Sequence, residues 1–300
     1  MKRFVPLLAA AVLAAAPALA ESVAVETARG TVAVPSNPEK IVVFDVGALD
    51  TLDALGIRPA GTVEKVFVDY LDEATENAEA VGTLFEPDFE AVNALAPDLI
   101  VVGSRSAEQL EPLSKFAPTI DMTIWGNDVV GQARARLAAY GEIFGRQDEA
   151  KRLAGELDAG LERAKAAAAG KGTALIVLTN GPKISAYGKG SRFGWLHDEL
   201  DLPQAVESVE EATHGEAISF EFIRNANPDW LLVIDRSAAI GAEGERAAET
   251  LDNALVAETT AWKKGQVIYL NAADLYVAAG GFRSLMNTFG LIEKGFRPSS

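Results

Sequence analysis

Arg105, Arg192 and Arg236 each follow a run that reads as a buried strand, where a ligand would sit. Arg105 closes "PDLIVVGSRS", Arg236 closes "PDWLLVIDRS", and Arg192 follows "TALIVLT" through the glycine-rich "YGKGSRFG". In open α/β sheets ligands collect beyond the carboxyl ends of the strands. Three guanidiniums converging there would offer planar, permanently charged donors to the oxygens of an anion. Taken singly, a loop arginine is more often a solvated partner of a nearby carboxylate. Two other residues could add donors. His214 lies in the polar loop "EEATHGEAIS", and Tyr276 in "NAADLYVAAGG" after the strand-like "QVIYLN". Exposure accounts for a lone loop histidine, and loop filling for a lone tyrosine, equally well. The other histidine, His197, falls in a helical pattern and reads as packing or surface.

The elements that must carry these residues occur twice. Phe89-Glu90 answers Phe220-Glu221, Pro97-Asp98 answers Pro228-Asp229, Leu99–Val102 answers Trp230–Val233, and Arg105 answers Arg236, all at an offset of 131 residues. That spacing is too long for a solenoid unit and implies two similar lobes. It also makes coincidence a poor account of Arg105 and Arg236. In the first half, "KIVVFD" and "PDLIVVG" read as strands, with helical spacing in "GALDTLDALGI" and "DFEAVNALA". In the second, "TALIVLT", "DWLLVID" and "QVIYLN" read as strands, and "FGWLHDELDL", "FEFIRNA" and a closing "FRSLMNTFGLIEKGF" as helices. Strands alternating with short helices imply parallel sheets. Between the halves, Leu153, Leu157, Leu161 and Ala164 share one face of a continuous helix over 147–170, with Gly170 and Gly172 as its stop. The expected architecture is therefore α/β: an N-terminal lobe over 23–146, a connecting helix over 147–170 and a C-terminal lobe over 171–297. A cleft between two lobes is a usual ligand site.

Composition limits the function classes. Residues 1–20 combine Lys2-Arg3, an apolar run and Ala18-Leu19-Ala20, the pattern of a cleavable secretory leader. The chain has no cysteine, hence no disulfide framework and no lipid attachment point, so a freely diffusing periplasmic protein is expected. Its 27 Lys+Arg stand against 43 Asp+Glu, a net charge of −16, which becomes about −18 once Lys2 and Arg3 leave with the leader. Such an excess argues against nucleic acid and anionic membranes. Against that background an inward-facing arginine cluster carries more information.

Three stretches, "ISAYGKGSRFGWLHDEL", "THGEAISFEFIRNANPDWLLVIDRS" and "QVIYLNAADLYVAAGGFRSL", resemble the periplasmic ferric-siderophore-binding proteins of ABC importers, catecholate (enterobactin and petrobactin) type. The similarity covers essentially all of the chain after the leader and is most specific between Tyr187 and Ser284. It implies two lobes on one long helix, a monomer, and capture of a ferric catecholate for delivery to an inner-membrane permease dimer. Arg105, Arg192 and Arg236 match the arginines that contact catecholate oxygens, and Tyr187 counts with them as ligand-binding. His214 and Tyr276 match a pair that ligates iron when the siderophore supplies only four donors. Leu275 stands where the family pattern has an aromatic before that tyrosine. Glu90 and Glu221, one per lobe, match the acids that engage arginines of the permease. A helix-start acid favoured by the helix dipole is the alternative for both.

The chemistry suits those residue types. Fe(III) favours hard oxygen donors and six-coordination, phenolate is a hard ligand and imidazole a borderline one. No intrinsic cofactor is expected, since the iron arrives inside its siderophore. A haem protein with His214 and Tyr276 as axial ligands is the rival within this class. Zinc or manganese is disfavoured by two histidines and no cysteine. An enzyme on an anionic substrate is disfavoured because the chain lacks G-x-S-x-G, H-E-x-x-H and a phosphate-binding glycine loop.

Overall fold

A computed structural model describes residues 22–209, 212, 214–241 and 246–297; the leader over 1–20 lies outside them. A hairpin of β1 (Ser22–Thr27) and β2 (Gly30–Pro35) precedes the first sheet. That sheet contains β3 (Ile41–Val43), β4 (Gly61–Thr62), β5 (Glu79–Ala80), β6 (Leu99–Val102) and β7 (Thr119–Asp121), in the order β5-β4-β3-β6-β7, with every pair parallel. The second contains β8 (Ala174–Asn180), β9 (Lys183–Tyr187), β10 (Glu216–Ile218), β11 (Trp230–Asp235) and β12 (Val267–Tyr269), in the order β10-β9-β8-β11-β12. Here the parallel expectation holds only for β8, β11 and β12; β9 and β10 run antiparallel. Only Gly181 and Pro182 separate β8 from β9, enough for a hairpin but not for the crossover that parallel neighbours require.

The repeat is structural. The helices Phe89–Leu95 and Phe220–Ala226 are equivalent, and each ends on a left-handed residue, Ala96 (φ 47°) and Asn227 (φ 41°). The chain then turns into β6 or β11. The aspartate before each strand anchors its neighbour: Asp98 accepts from the backbone N–H groups of Glu39 and Lys40, and Asp229 from that of Thr173. Gly172 is needed there, since its φ is +98° and a Cβ would lie 2.2 Å from Asp229 Oδ2. The buried runs Leu99–Val102 and Trp230–Ile234 place both arginines at equivalent strand ends.

The connecting helix runs Gln147–Ala168 and buries Leu153, Leu157 and Ala164, with Leu161 half-buried beside them. It lies against the helix Val129–Ile143 and the closing helix Phe282–Gly295. Gly160 permits the second approach, because a Cβ there would sit 3.0 Å from Met286 Sδ. The hydrophobic core is consequently continuous from the N-terminal sheet through both helices to one face of the C-terminal sheet, while a second cluster fills that sheet's other face.

Buried carboxylates also join the lobes. The closing helix starts at Gly281, which has no side chain to cap it. Asp50, from the first helix (Val46–Ala54), supplies the missing acceptors: Oδ1 to Arg283 N–H at 2.7 Å and Oδ2 to Ser284 N–H at 2.9 Å. Thr51 Oγ1 accepts from Phe282 N–H, and Tyr70 donates its hydroxyl to Asp50. Reciprocally, Glu199 of the C-terminal lobe accepts from Val130 N–H at the start of the helix Val129–Ile143. Burial pushes the Asp50 carboxyl up to about 6, against the lowering effect of the two backbone N–H groups. Asp50→Ala strands two helix-start donors in a buried interface. It is expected to lower the unfolding free energy by about 1–3 kcal/mol, read from denaturant titration against the parent.

Candidate functional site

Each arginine reaches the cleft by a different local device. After β6 the chain passes Gly103 and Ser104, the latter at φ 51°, with Ser104 N–H held by Thr123 Oγ1 at 2.8 Å. This turns Arg105 across to the other lobe. Arg192 follows β9, not β8 directly, through a loop fastened by Gln204 Oε1 to Lys189 N–H (2.8 Å) and by Ser191 Oγ to Gly188 O (2.5 Å). Buried Phe193 and Ser191 flank it. Arg236 opens the short helix after β11, with Asp235 as its N-cap.

All three converge on Tyr276, the last residue of the short helix Ala272–Tyr276. Arg105 Nη2 and Arg192 Nη2 donate to its carbonyl at 2.6 and 3.0 Å, and Arg236 Nε donates to its hydroxyl at 3.3 Å. The guanidinium carbons lie 4.9, 4.4 and 5.7 Å from the tyrosine ring centre, in cation–π range. Among the described residues none of the three arginines forms an ion pair with a carboxylate. Buried Asp45, the N-cap of the first helix, feels the charge of Arg105, yet burial still pushes its carboxyl up to about 6. Burial chiefly, and then the charge of Arg105, lower the pKa of Arg192. Partial burial raises the Tyr276 phenol, but the hydrogen bond and charge of Arg236, with Arg192 and Arg105 behind it, outweigh that and leave its pKa below the ordinary value. The site is a concentrated positive centre with a phenol inclined to ionise.

The remaining sequence candidates divide. Tyr187, Arg192, His214, Arg236 and Tyr276 line one cavity of about 180 Å³ on the C-terminal lobe. Tyr187 itself is buried, stacks edge-on against Phe193 at 4.7 Å, and donates its hydroxyl to the His214 carbonyl at 2.9 Å. Burial pushes its phenol up to about 12. It therefore fixes the His214 loop. His214 is exposed at the cavity wall. His197 is a packing residue, its buried ring holding Leu202 O at 2.9 Å through Nδ1. Leu275 is buried beneath the cleft. Glu90 and Glu221 stand exposed in the first turns of the two equivalent helices. Glu221 is held below its ordinary pKa by its own backbone N–H and the Ser219 hydroxyl, as a helix-start acid should be. No cluster of three or more His, Cys, Asp or Glu that could hold a metal occurs among the described residues.

Sequence reasoning missed the N-terminal wall of the cleft. Trp125 and Arg29 line a second cavity with Ser104, and Lys183 and Asn180 join the first. Trp125 lies beyond the carboxyl end of β7, so recognising "TID" as a strand would have exposed it.

Residues 41–273 match the family model described as periplasmic binding protein, and the chain belongs to that family. It is 37% identical over 266 residues to the petrobactin-binding protein YclQ of Bacillus subtilis, covering 87% of this chain and 84% of that one. The crystal structure of YclQ superposes with a TM-score of 0.86 at 34% identity, covering 93% of this chain and all of that one (100%). The ferric-anguibactin-binding protein FatB of Vibrio anguillarum is 32% identical, with 92% and 88% covered. The catecholate-siderophore-binding protein VctP of Vibrio cholerae superposes with a TM-score of 0.85 at 30% identity, with 91% and 100% covered. The two-lobed α/β fold is that of these binding proteins, and no helix of the described residues is long and apolar enough to cross a membrane.

The charge assignment at Tyr276 is testable without any ligand. In ultraviolet difference titration of parent against Tyr276→Phe, the lost phenol should ionise below an ordinary tyrosine. Arg236→Ala should move that step upward, since a positive charge is removed; a step that stays at the ordinary value would contradict the assignment.

Proposed function

We propose that this protein captures a ferric catecholate siderophore between its lobes and delivers it to an ABC permease, acting as a carrier without turnover. The observation that carries this is the convergence of three unpaired guanidiniums, one from the N-terminal lobe and two from the C-terminal lobe, on one tyrosine. A ferric catecholate is anionic and oxygen-rich, so the arginines recognise it without displacing any iron donor. The iron is cargo, held by the siderophore. The names of YclQ, FatB and VctP support the ligand class. His214 and Tyr276 share the cavity wall, and the lowered pKa of Tyr276 favours phenolate. They are proposed to close the two coordination positions that a four-donor siderophore leaves open.

Replacing Arg105, Arg192 or Arg236 with alanine is expected to weaken binding of both bis- and tris-catecholates by about 1–3 kcal/mol each, the scale of a charge-assisted hydrogen bond. Tyr276→Phe and His214→Ala should weaken only the bis-catecholate, and Tyr276→Phe should also remove a phenolate-to-iron charge-transfer band. Fluorescence titration with the two ligands measures both effects. Unchanged affinity in all three arginine variants would overturn the function, and equal losses for both ligands in the His214 and Tyr276 variants would remove their iron-ligating role.

Delivery is proposed to run through Glu90 and Glu221. Their equivalent positions give an acid on each lobe for a two-subunit permease, and Glu90 neighbours the exposed stacked pair Phe89 and Phe116, 5.8 Å between ring centres. Alanine at both acids should leave siderophore affinity intact while lowering stimulation of the permease ATPase in proteoliposomes. Loss of siderophore affinity with the fold intact would instead assign them to the pocket. The leader over 1–20 and the absence of cysteine support export without a lipid anchor.

A further inference from the structure

The N-terminal lobe contributes more to the cleft than Arg105. A cavity of about 390 Å³ lies on its inner wall, lined by Trp125, Arg29, Ser104, Thr123 and Gln132 among others. Trp125 and Ser104 also line the adjoining cavity that reaches Arg192, and Arg192 lines the one that holds Tyr276. The wall is therefore continuous with the arginine centre.

Trp125 is 47% exposed although it is among the largest apolar side chains of the chain. Leaving an indole half open to water forgoes burial that the neighbouring core could have supplied. Nor is it a residue on a loose loop. Gln132 grips its backbone from both sides, accepting from Trp125 N–H at 3.1 Å and donating to Trp125 O at 2.6 Å. The same amide nitrogen also donates to Asp128 O at 3.0 Å, which ties the platform to the start of the helix Val129–Ile143. Beside it Arg29, at the tip of the β1–β2 hairpin, is anchored through Nε to buried Asp121 at 2.8 Å, with its side chain 59% exposed. A fixed aromatic face next to an anchored guanidinium suits a flat ring that carries an acceptor oxygen.

We propose that this wall is an aryl subsite, in which Trp125 stacks on a ring of the ligand while Arg29 faces that ring's oxygens. This rests on the ferric-siderophore function above and narrows it to aryl-bearing ligands. It also gives the two lobes different tasks: the C-terminal lobe reads charge at the iron centre, and the N-terminal lobe reads the ring.

Two measurements test it. In calorimetric titration with a ferric bis-catecholate, Trp125→Ala should lose about threefold to tenfold in affinity, the size of an aromatic pair, while Trp125→Phe stays close to the parent. Gln132→Ala should lose less than Trp125→Ala, because it loosens the platform without removing it. In NMR, the indole N–H peak that disappears in Trp125→Phe identifies Trp125. Adding the gallium(III) bis-catecholate, a diamagnetic stand-in for the iron complex, should shift that peak by the ring current of a stacked catechol. An unmoved peak, or an alanine variant that binds as the parent does, would overturn the subsite. If Arg236→Ala still lost affinity, the siderophore function would survive that result. A parent that bound no ferric catecholate would overturn both.

Discussion

Asp50 holds the two lobes in one geometry, and the site exists only in that geometry. Its carboxylate completes the first turn of a helix that belongs to the other half of the chain, where Gly281 leaves the helix start uncapped. Glu199 returns the favour at Val130. Each contact replaces water on orphan backbone donors that would otherwise be buried unsatisfied. The cost of burying Asp50 shows in its raised pKa. Such carboxylates are more demanding of position than an apolar contact would be, since both oxygens need their donors. That demand fixes the angle at which Arg105 meets the C-terminal lobe.

Tyr276 is where that geometry becomes chemistry. Three like charges within reach of one ring repel one another, and a carbonyl, a π-face and a hydroxyl together give them partial compensation. None of these partners is a full negative charge. An anion entering the cleft therefore meets donors that are already oriented and only partly satisfied, which reduces the ordering cost of binding. Arg105 and Arg192 donate to the same carbonyl from opposite lobes, so one backbone atom registers both walls.

The internal repeat explains the symmetry of the scaffold and not the character of the site. Equivalent helices, left-handed caps and strand-anchoring aspartates recur in both lobes. Beyond the strand ends the halves diverge. The hairpin β8–β9 replaces a parallel crossover and brings in Tyr187 and Arg192, which have no counterpart in the first lobe. The first lobe brings Trp125 and Arg29 from the connection after β7 and from the β1–β2 turn.

The sequence by itself determined the two-lobe plan, the connecting helix and the placement of Arg105 and Arg236 at strand ends. Apolar runs, helical spacing and a duplicated segment are local signals, and a chain of this composition satisfies them in few ways. It also identified Arg192, His214 and Tyr276, through a resemblance carried by short stretches around them. Only the tertiary structure decided that Tyr187 serves the His214 loop instead of lining the site with its hydroxyl, that β9 runs antiparallel, and that Trp125 faces the cleft. The strands behind those outcomes are short or broken by Gly-Pro, so they leave little periodicity to read. The cross-lobe caps were hidden for a different reason. Asp50 and Ser284 lie 234 residues apart, and no property of either segment announces a partner that only the folded chain brings within hydrogen-bonding distance.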